Sequence, residues 1–208
     1  MKIIKFVIGS NYNLEFLEEA KNDKNLIVFS FEPNPKIIND CITNNNIPSN
    51  YKLIQKAVSD KKGIFEFNLS SDSYSVFSSL NKLKNKNNSL FNETIFVETI
   101  TMKDFIELEK IKEIEYLHID SQGSDLDVLK GFGSKIDIVK EGVCESMAPD
   151  LDWTLYENQS SFEDFKEFFF SKGFDISYKP NTGGIGENEV NIFFKKTNNK
   201  PKLIKNFI

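Results

Sequence analysis

The chain has 208 residues, 39% of them hydrophobic and 20 of them phenylalanine, enough for one domain to bury a core without disulfide or metal staples. Its formal charge of −5 and pI near 5.1, with no basic cluster that would line a groove, disfavour a phosphate-backbone partner. Cys41 and Cys144 stand far apart without a neighbouring histidine, which argues against a disulfide framework or a zinc site. The first apolar run, residues 3–8, is too short to span a bilayer and lacks the form of a signal peptide, so a soluble cytoplasmic protein is expected.

Residues 3–8 read as a buried strand stopping at Gly9, and Leu14, Leu17 and Ala20 mark a short helix after it. Residues 26–31 are a second apolar strand running into Phe31-Glu32-Pro33. Pro33 and Pro35 suit the first turn of a helix extending to about Cys41. Residues 51–58 form a third strand, closed by Ser59-Asp60-Lys61-Lys62-Gly63. Ile64, Phe65 and Phe67 then make a short strand that fits a hairpin arm. Residues 69–93, rich in Ser, Asn and Lys, are long for a loop in a compact domain, and stand as a lid or as an insertion without a role. Residues 94–100 are a strand and 102–108 a helix opened by Thr101.

In the stretch 115–120, Tyr116, His118 and Asp120 face one way and Leu117 and Ile119 the other, as in a strand of a parallel sheet. Ser121-Gln122-Gly123 make a turn, and Ser124 or Asp125 caps the next helix. Leu126 and Leu129 repeat at helical spacing before Gly131 and Gly133 stop it. Residues 136–144 are a further buried strand with Glu145 at its end. Phe162, Phe165, Phe168 and Phe169 give an amphipathic helix whose aromatic stripe is core. Residues 173–178 and 190–194 close the sheet as an antiparallel hairpin, with Gly183, Gly184 and Gly186 in its turn. The alternation predicts an α/β, doubly wound, mostly parallel sheet over residues 1–197 as one domain, followed by a basic, loosely held tail, 198–208.

Glu32, Asp120 and Glu145 each end a strand, along one edge of the sheet near Gly9. Ligands of open α/β sheets bind at that edge. Asp120 is there as a site residue or as a cap for its own turn. Glu32 follows Gly9 by 23 residues, close to the separation at which a nucleotide-binding sheet offers an acid to both ribose hydroxyls. The second and third glycines of a dinucleotide loop are missing from Gly9-Ser10-Asn11-Tyr12-Asn13-Leu14, which leaves a pyrophosphate poorly cradled and disfavours a nicotinamide-dependent oxidoreductase. A ligand with a ribose, a positive centre and no phosphate fits better, and S-adenosylmethionine has those features. Carboxylates or an aromatic face favour its sulfonium, and backbone N–H groups near residues 10–13 suit its carboxylate. No metal-ligand spacing is visible.

Three runs taken together resemble the FkbM-type methyltransferases: Phe31-Glu32-Pro33-Asn34-Pro35, then Lys56-Ala57-Val58-Ser59-Asp60-Lys61-Lys62-Gly63, then the stretch from Ile119-Asp120-Ser121-Gln122-Gly123 to Leu129-Lys130-Gly131. Their order and spacing match, and the similarity extends from about Phe6 to Phe194. The resemblance implies a seven-strand class I methyltransferase fold of Rossmann-like type and S-adenosylmethionine as donor. It also implies a hydroxyl acceptor on a sugar, glycolipid, polyketide or similar small molecule; a protein or nucleic-acid acceptor lacks support in the charge, and no stable membrane insertion is expected. Carried over by position, Gly9, Ser10 and Asn11 border the methionine end, and Glu32 with Pro33 holds the ribose. Ala57, Val58 and Ser59 lie beside adenine, and Asp120 faces the methionine amine or the acceptor.

Two residues depart from the family's first loop, D-V-G-A-N-I-G: Val7 stands for the leading acid, which helps to organise the methionine end, and Asn13 for the last glycine. Gln122 stands in place of Glu, a variant associated with part of the family. Methyl transfer to oxygen is in large part alignment, and a sugar hydroxyl benefits from a general base. Asp120, Glu145 and His118 are the candidates. The alternatives are a cap for Glu145 and a packed structural role for His118. The altered first loop motivates a second reading, a non-catalytic module with a methyltransferase-like fold. The segments expected to meet the acceptor, 69–93 and 146–160, carry no transferable code.

Overall fold

The structure is a computed structural model and describes residues 2–72, 74–85, 90–149, 151, 153–181 and 188–204. In chain order its elements are β1 (Ile3–Ile8), α1 (Leu17–Asn22), β2 (Leu26–Phe31), α2 (Pro35–Asn44), β3 (Tyr51–Ile54), β4 (Ala57–Val58), β5 (Gly63–Ser70), β6 (Phe91–Ile100) and α3 (Met102–Glu109). There follow β7 (Ile114–Ile119), α4 (Asp125–Gly131), a 3₁₀ turn (Gly133–Ile138), β8 (Val139–Met147), α5 (Phe162–Ser171), β9 (Phe174–Pro180) and β10 (Glu189–Lys196).

The main sheet has the order β3-β2-β1-β7-β8-β10-β9. It is parallel from β3 to β8, and β10 runs antiparallel to both of its neighbours. The order reverses direction at β1, so the crevice between the carboxyl ends of β1 and β7 is the switch point at which such sheets bind ligands. Strand alternation sends side chains of β1 to two cores. Phe6 and Ile8 join the large cluster under α3, α4 and α5, and Val7 joins Leu17, Ala20, Leu26, Val28 and Tyr51 under α1. Phe105 of α3 meets Phe6, Phe29 and Phe31 edge-to-face at 5.9, 5.2 and 5.0 Å, which fixes that helix over the parallel strands.

The doubly wound sheet and its antiparallel final hairpin are as expected, as is the aromatic stripe of α5, whose Phe162, Phe165 and Phe169 are buried. Several boundaries differ. Residues 51–58 are not one strand: Lys56 N–H donates back to Ile54 C=O (2.9 Å), and beyond that turn Ala57–Val58 pair with Thr99–Ile100. The hairpin arm is real, but β5 and β6 form a separate three-stranded sheet with β4. Pro33 stays outside α2, because Asn34 is the N-cap, its side chain accepting from Lys36 N–H (3.0 Å), and Pro35 opens the helix. The strand expected over 136–144 begins later, after the 3₁₀ turn, and continues to Met147 because β10 pairs with it as far as Glu189↔Met147. Glu145 is therefore inside β8 and not at its end.

The tail is held in part. Ile176 N–H donates to Lys202 C=O (3.1 Å), Ile204 N–H to Ile176 C=O (2.7 Å), and Lys202 N–H to Asp175 Oδ1 (2.9 Å). These bonds cover a stretch of the free edge of β9, which would otherwise present unpaired backbone groups. The turn with Gly183, Gly184 and Gly186 lies outside the described residues. Among those residues no helix is long and apolar enough to cross a membrane.

Candidate active site

Three adjacent parallel strands end together and turn outward. Gly9 and Ser10 N–H both donate to Phe31 C=O (2.9 and 3.1 Å), and Asp120 N–H donates to Ile8 C=O (2.9 Å). Gly9 has φ +79, and a Cβ there would lie 1.8 Å from the Asp120 carbonyl oxygen. The backbone that requires glycine here is thus that of β7's exit. Glu32 and Asp120 leave the strands on either side of β1, two strand spacings or about 10 Å apart. They flank a cavity of about 360 Å³.

Glu32 is buried, and each oxygen accepts a backbone N–H, Oε2 from Asn11 (2.9 Å) and Oε1 from Asn34 (2.7 Å). Burial pushes its carboxyl up to about 7 against those two donors. Asn11 holds φ 46, a left-handed conformation that asparagine tolerates, and this turns its N–H toward Glu32. The buried Ser10 Oγ beside it, also on the cavity wall, has no hydrogen-bond partner among the described residues. Apolar wall is supplied by Phe31, Ile37, Ala57, Val58, Phe67 and Leu80.

On the β7 side, Asp120 Oδ1 accepts from Gln122 Nε2 (2.7 Å). Gln122 has φ 50, and its Oε1 accepts from the Tyr156 hydroxyl (3.0 Å). Burial raises Asp120 above the ordinary carboxylate value, opposed by Gln122 and His118. His118 does not retreat into the core: it lines the cavity, and its Nδ1 donates to Glu15 Oε2 at 2.5 Å, which raises its pKa against the effect of burial.

Behind Asp120 lies a second group of acids. Asp125 Oδ2 accepts from Ser121 N–H and Oγ (3.1 and 2.9 Å), and Oδ1 accepts from Glu145 N–H (3.0 Å). Asp125 is therefore a tie between the turn and β8; of the two residues expected to cap α4, Ser124 is at the N-cap, without a side-chain cap bond. Glu145 accepts from Asn181 Nδ2 (2.9 Å), and burial with the charges of Asp120, Asp125 and Glu189 pushes it up to about 9. Glu145 does not line the cavity. The structure thus sets this residue, expected as a second base, behind Asp120 and off the wall. Among the described residues no three His, Cys, Asp or Glu side chains are gathered as a metal site.

Part of the long loop is a cover. Tyr74, Ser75, Val76, Ser78 and Leu80 line the cavity opposite the strand ends. Tyr74 C=O accepts from Asn11 Nδ2 (3.0 Å), and its ring meets Tyr12 edge-on at 6.5 Å. Ser79 Oγ donates to Gln122 C=O (2.6 Å), Asn81 Nδ2 to Gly123 C=O (3.0 Å), and Tyr156 Oη to Phe77 C=O (3.0 Å). Gly123 permits this closure, since a Cβ there would meet the Tyr156 ring at 2.6 Å.

The structure thus brings Gly9, Ser10, Asn11, Glu32, Pro33, Ala57, Val58 and Asp120 to one cavity. Ser59 is not on its wall: its N–H donates to Ile100 C=O (3.1 Å), and its carbonyl abuts Gly131 of α4. Glu15, Tyr12, Gln122 and Tyr156 had no assigned role in the sequence reading. Only the length of the 69–93 segment signalled the cover.

The family described as the methyltransferase FkbM domain matches residues 7–176. The chain belongs to the FkbM methyltransferase family. It is an S-adenosylmethionine-dependent methyltransferase, and the residues present fit that cofactor: an acid at the end of β2, an unpartnered buried serine hydroxyl at the first loop, and an apolar wall beside them. No curated protein matches the chain. Among solved structures it is similar to M. capricolum TrmK in complex with S-adenosyl-homocysteine (12% identity, 97% of this chain and 64% of that one, TM-score 0.53). It is also similar to the METTL16 methyltransferase domain (8% identity, 94% and 60% covered, TM-score 0.52) and to an rRNA methylase from Streptococcus thermophilus (9%, 94% and 87%, TM-score 0.49). At such identities the likeness is one of fold. This FkbM methyltransferase spans under two thirds of the length of the first two.

Proposed function

We propose that this FkbM methyltransferase methylates a hydroxyl group of a sugar, glycolipid or similar small molecule. S-adenosylmethionine supplies an electrophilic methyl carbon, and the chain's residues hold it and prepare the acceptor. Glu32 receives the ribose hydroxyls on the lone pairs its backbone partners leave free. Pro33 lies beside the ribose, Ala57 and Val58 lie along the adenine, and Ser10 Oγ with the first loop takes the methionine carboxylate. Asp120 takes the proton of the acceptor hydroxyl. The observation that carries this reading is Asp120 on the cavity wall, its carboxylate oriented by Gln122.

Charge supports a neutral acceptor. The wall carries Glu15, Glu32 and Asp120, and its lysine, Lys56, is paired with Glu98. A polyanionic acceptor would be repelled there.

Two measurements test the proposal. S-adenosylhomocysteine at a hundred times its dissociation constant should stabilise the protein by roughly 2.7 kcal/mol, and Glu32→Ala should lose most of that gain. Labelled methyl transfer is then assayed with monosaccharides, glycolipid headgroups, tRNA and rRNA. Transfer to a sugar hydroxyl that falls strongly in Asp120→Asn, with S-adenosylhomocysteine affinity kept, supports the assignment. Transfer to RNA alone overturns it.

A further inference from the structure

The first loop of this chain has Val7 where the resemblance implies an acid, and the structure brings a carboxylate to the wall of the same cavity from another element. Val7 is a register partner of His118 across β1 and β7. Glu15 Oε2 accepts from His118 Nδ1 at 2.5 Å, and Val7, Glu15 and His118 all line the cavity. Glu15 is set there by an unusual backbone step. Phe16, at the N-cap of α1, has φ 62, which is strained for a bulky residue. Its ring is fixed between Tyr116 (5.7 Å) and Lys5 Nζ (4.2 Å).

The other two acids on the wall are assigned above, Glu32 to the ribose and Asp120 to the acceptor hydroxyl. Glu32 accepts from Asn11 and Asn34 on the far side of β1, and Asp120 accepts from Gln122. His118 donates to one oxygen of Glu15, which leaves the carboxylate further lone pairs for a second donor. We propose that Glu15, oriented by His118, receives the α-ammonium group of S-adenosylmethionine in place of the acid missing at Val7. The proposal rests on the cofactor placement given above, with the methionine end at the first loop. Glu15 is a binding residue here, and His118 is its positioning residue.

The test is calorimetric titration of the full chain with S-adenosylhomocysteine and with its analogue lacking the α-amino group. A charge-assisted hydrogen bond of this kind corresponds to roughly a ten- to hundredfold change in affinity. Glu15→Gln should weaken S-adenosylhomocysteine by that factor and leave the deamino analogue unchanged. Glu15→Asp should recover part of the loss, and ligand-free melting of each variant checks the fold. Equal affinity of Glu15→Gln and the native chain for S-adenosylhomocysteine overturns the role of Glu15. So does an equal loss for both ligands, which would make Glu15 a prop of the loop. A native chain that binds neither ligand overturns the cofactor placement itself, and with it this assignment.

Discussion

The strand ends of β1, β2 and β7 and the cover formed by residues 74–84 enclose one cavity, yet they are held by different bonds. The strand ends continue a parallel ladder, with Gly9, Ser10 and Asp120 N–H groups bonded to neighbouring strands and Phe6, Phe31 and Ile119 buried beneath them. The cover has isolated bridges, Asn68↔Ser79 and Leu83↔Tyr156, and is otherwise tied by side chains such as Ser79, Asn81 and Tyr156. Local opening costs little where few apolar contacts are broken. The comparison teaches that one wall forms with the core while the other is a separately fastened piece.

The largest effect expected on this contrast comes from pH. Four acids at or behind the strand ends are raised in the folded state: Glu32 and Glu189 to about 7, Asp125 to about 6 and Glu145 to about 9. The folded chain keeps protons that the unfolded chain releases near its ordinary carboxylate pKa. Stability is therefore greatest below that pKa and declines as pH rises through 6 to 9. His118, also raised, acts in the same direction. At the entry to the cover stands the opposite case, Asp72, whose pKa is lowered by bonds from Ser70, Val76 and Tyr74 and whose contribution persists above its ordinary value. Melting midpoints of the ligand-free chain should fall from pH 5 to pH 9 at fixed ionic strength. A rising midpoint would mean that these acids are solvated and that the strand ends are looser than the structure shows.

Next in size is Gly9→Ala, which places a Cβ on Asp120's carbonyl at a positive φ. A cost of about 3 kcal/mol is expected from strain and overpacking together, read by urea unfolding. A loss under about 1 kcal/mol, the usual cost of a surface change, would show that β1 and β7 can part. Smallest and most local is Tyr156→Phe, which removes the donor shared by Phe77 C=O and Gln122 Oε1. A loss of about 1–3 kcal/mol is expected, and amide exchange at Ser79 and Lys84 should speed up while that of β1 and β7 is unchanged. Equal acceleration in both would make wall and cover one cooperative unit.

Much of this was legible in the chain. The alternation of β7, the N-cap Thr101 and the phenylalanine stripe of α5 are local patterns, and all three stand as read. Glu32 and Asp120 could be placed because an acid after an apolar strand lies at the sheet's carboxyl edge whatever the rest of the fold does. Glu145 could not be placed in this way. Its position depends on how far β10 extends the antiparallel ladder, and its charge depends on Asp125 and Glu189 brought beside it.

Sequence by itself determined most of the strands and helices, the family and the acids on either side of Gly9, because periodicity, turn residues and motif order are properties of neighbouring positions. Only the tertiary structure decided that residues 74–84 close over the cavity, that Tyr156 reaches Gln122, and that Glu15 meets His118. Those facts rest on contacts between residues far apart in the chain, and no local pattern encodes a distance that the packed core alone sets.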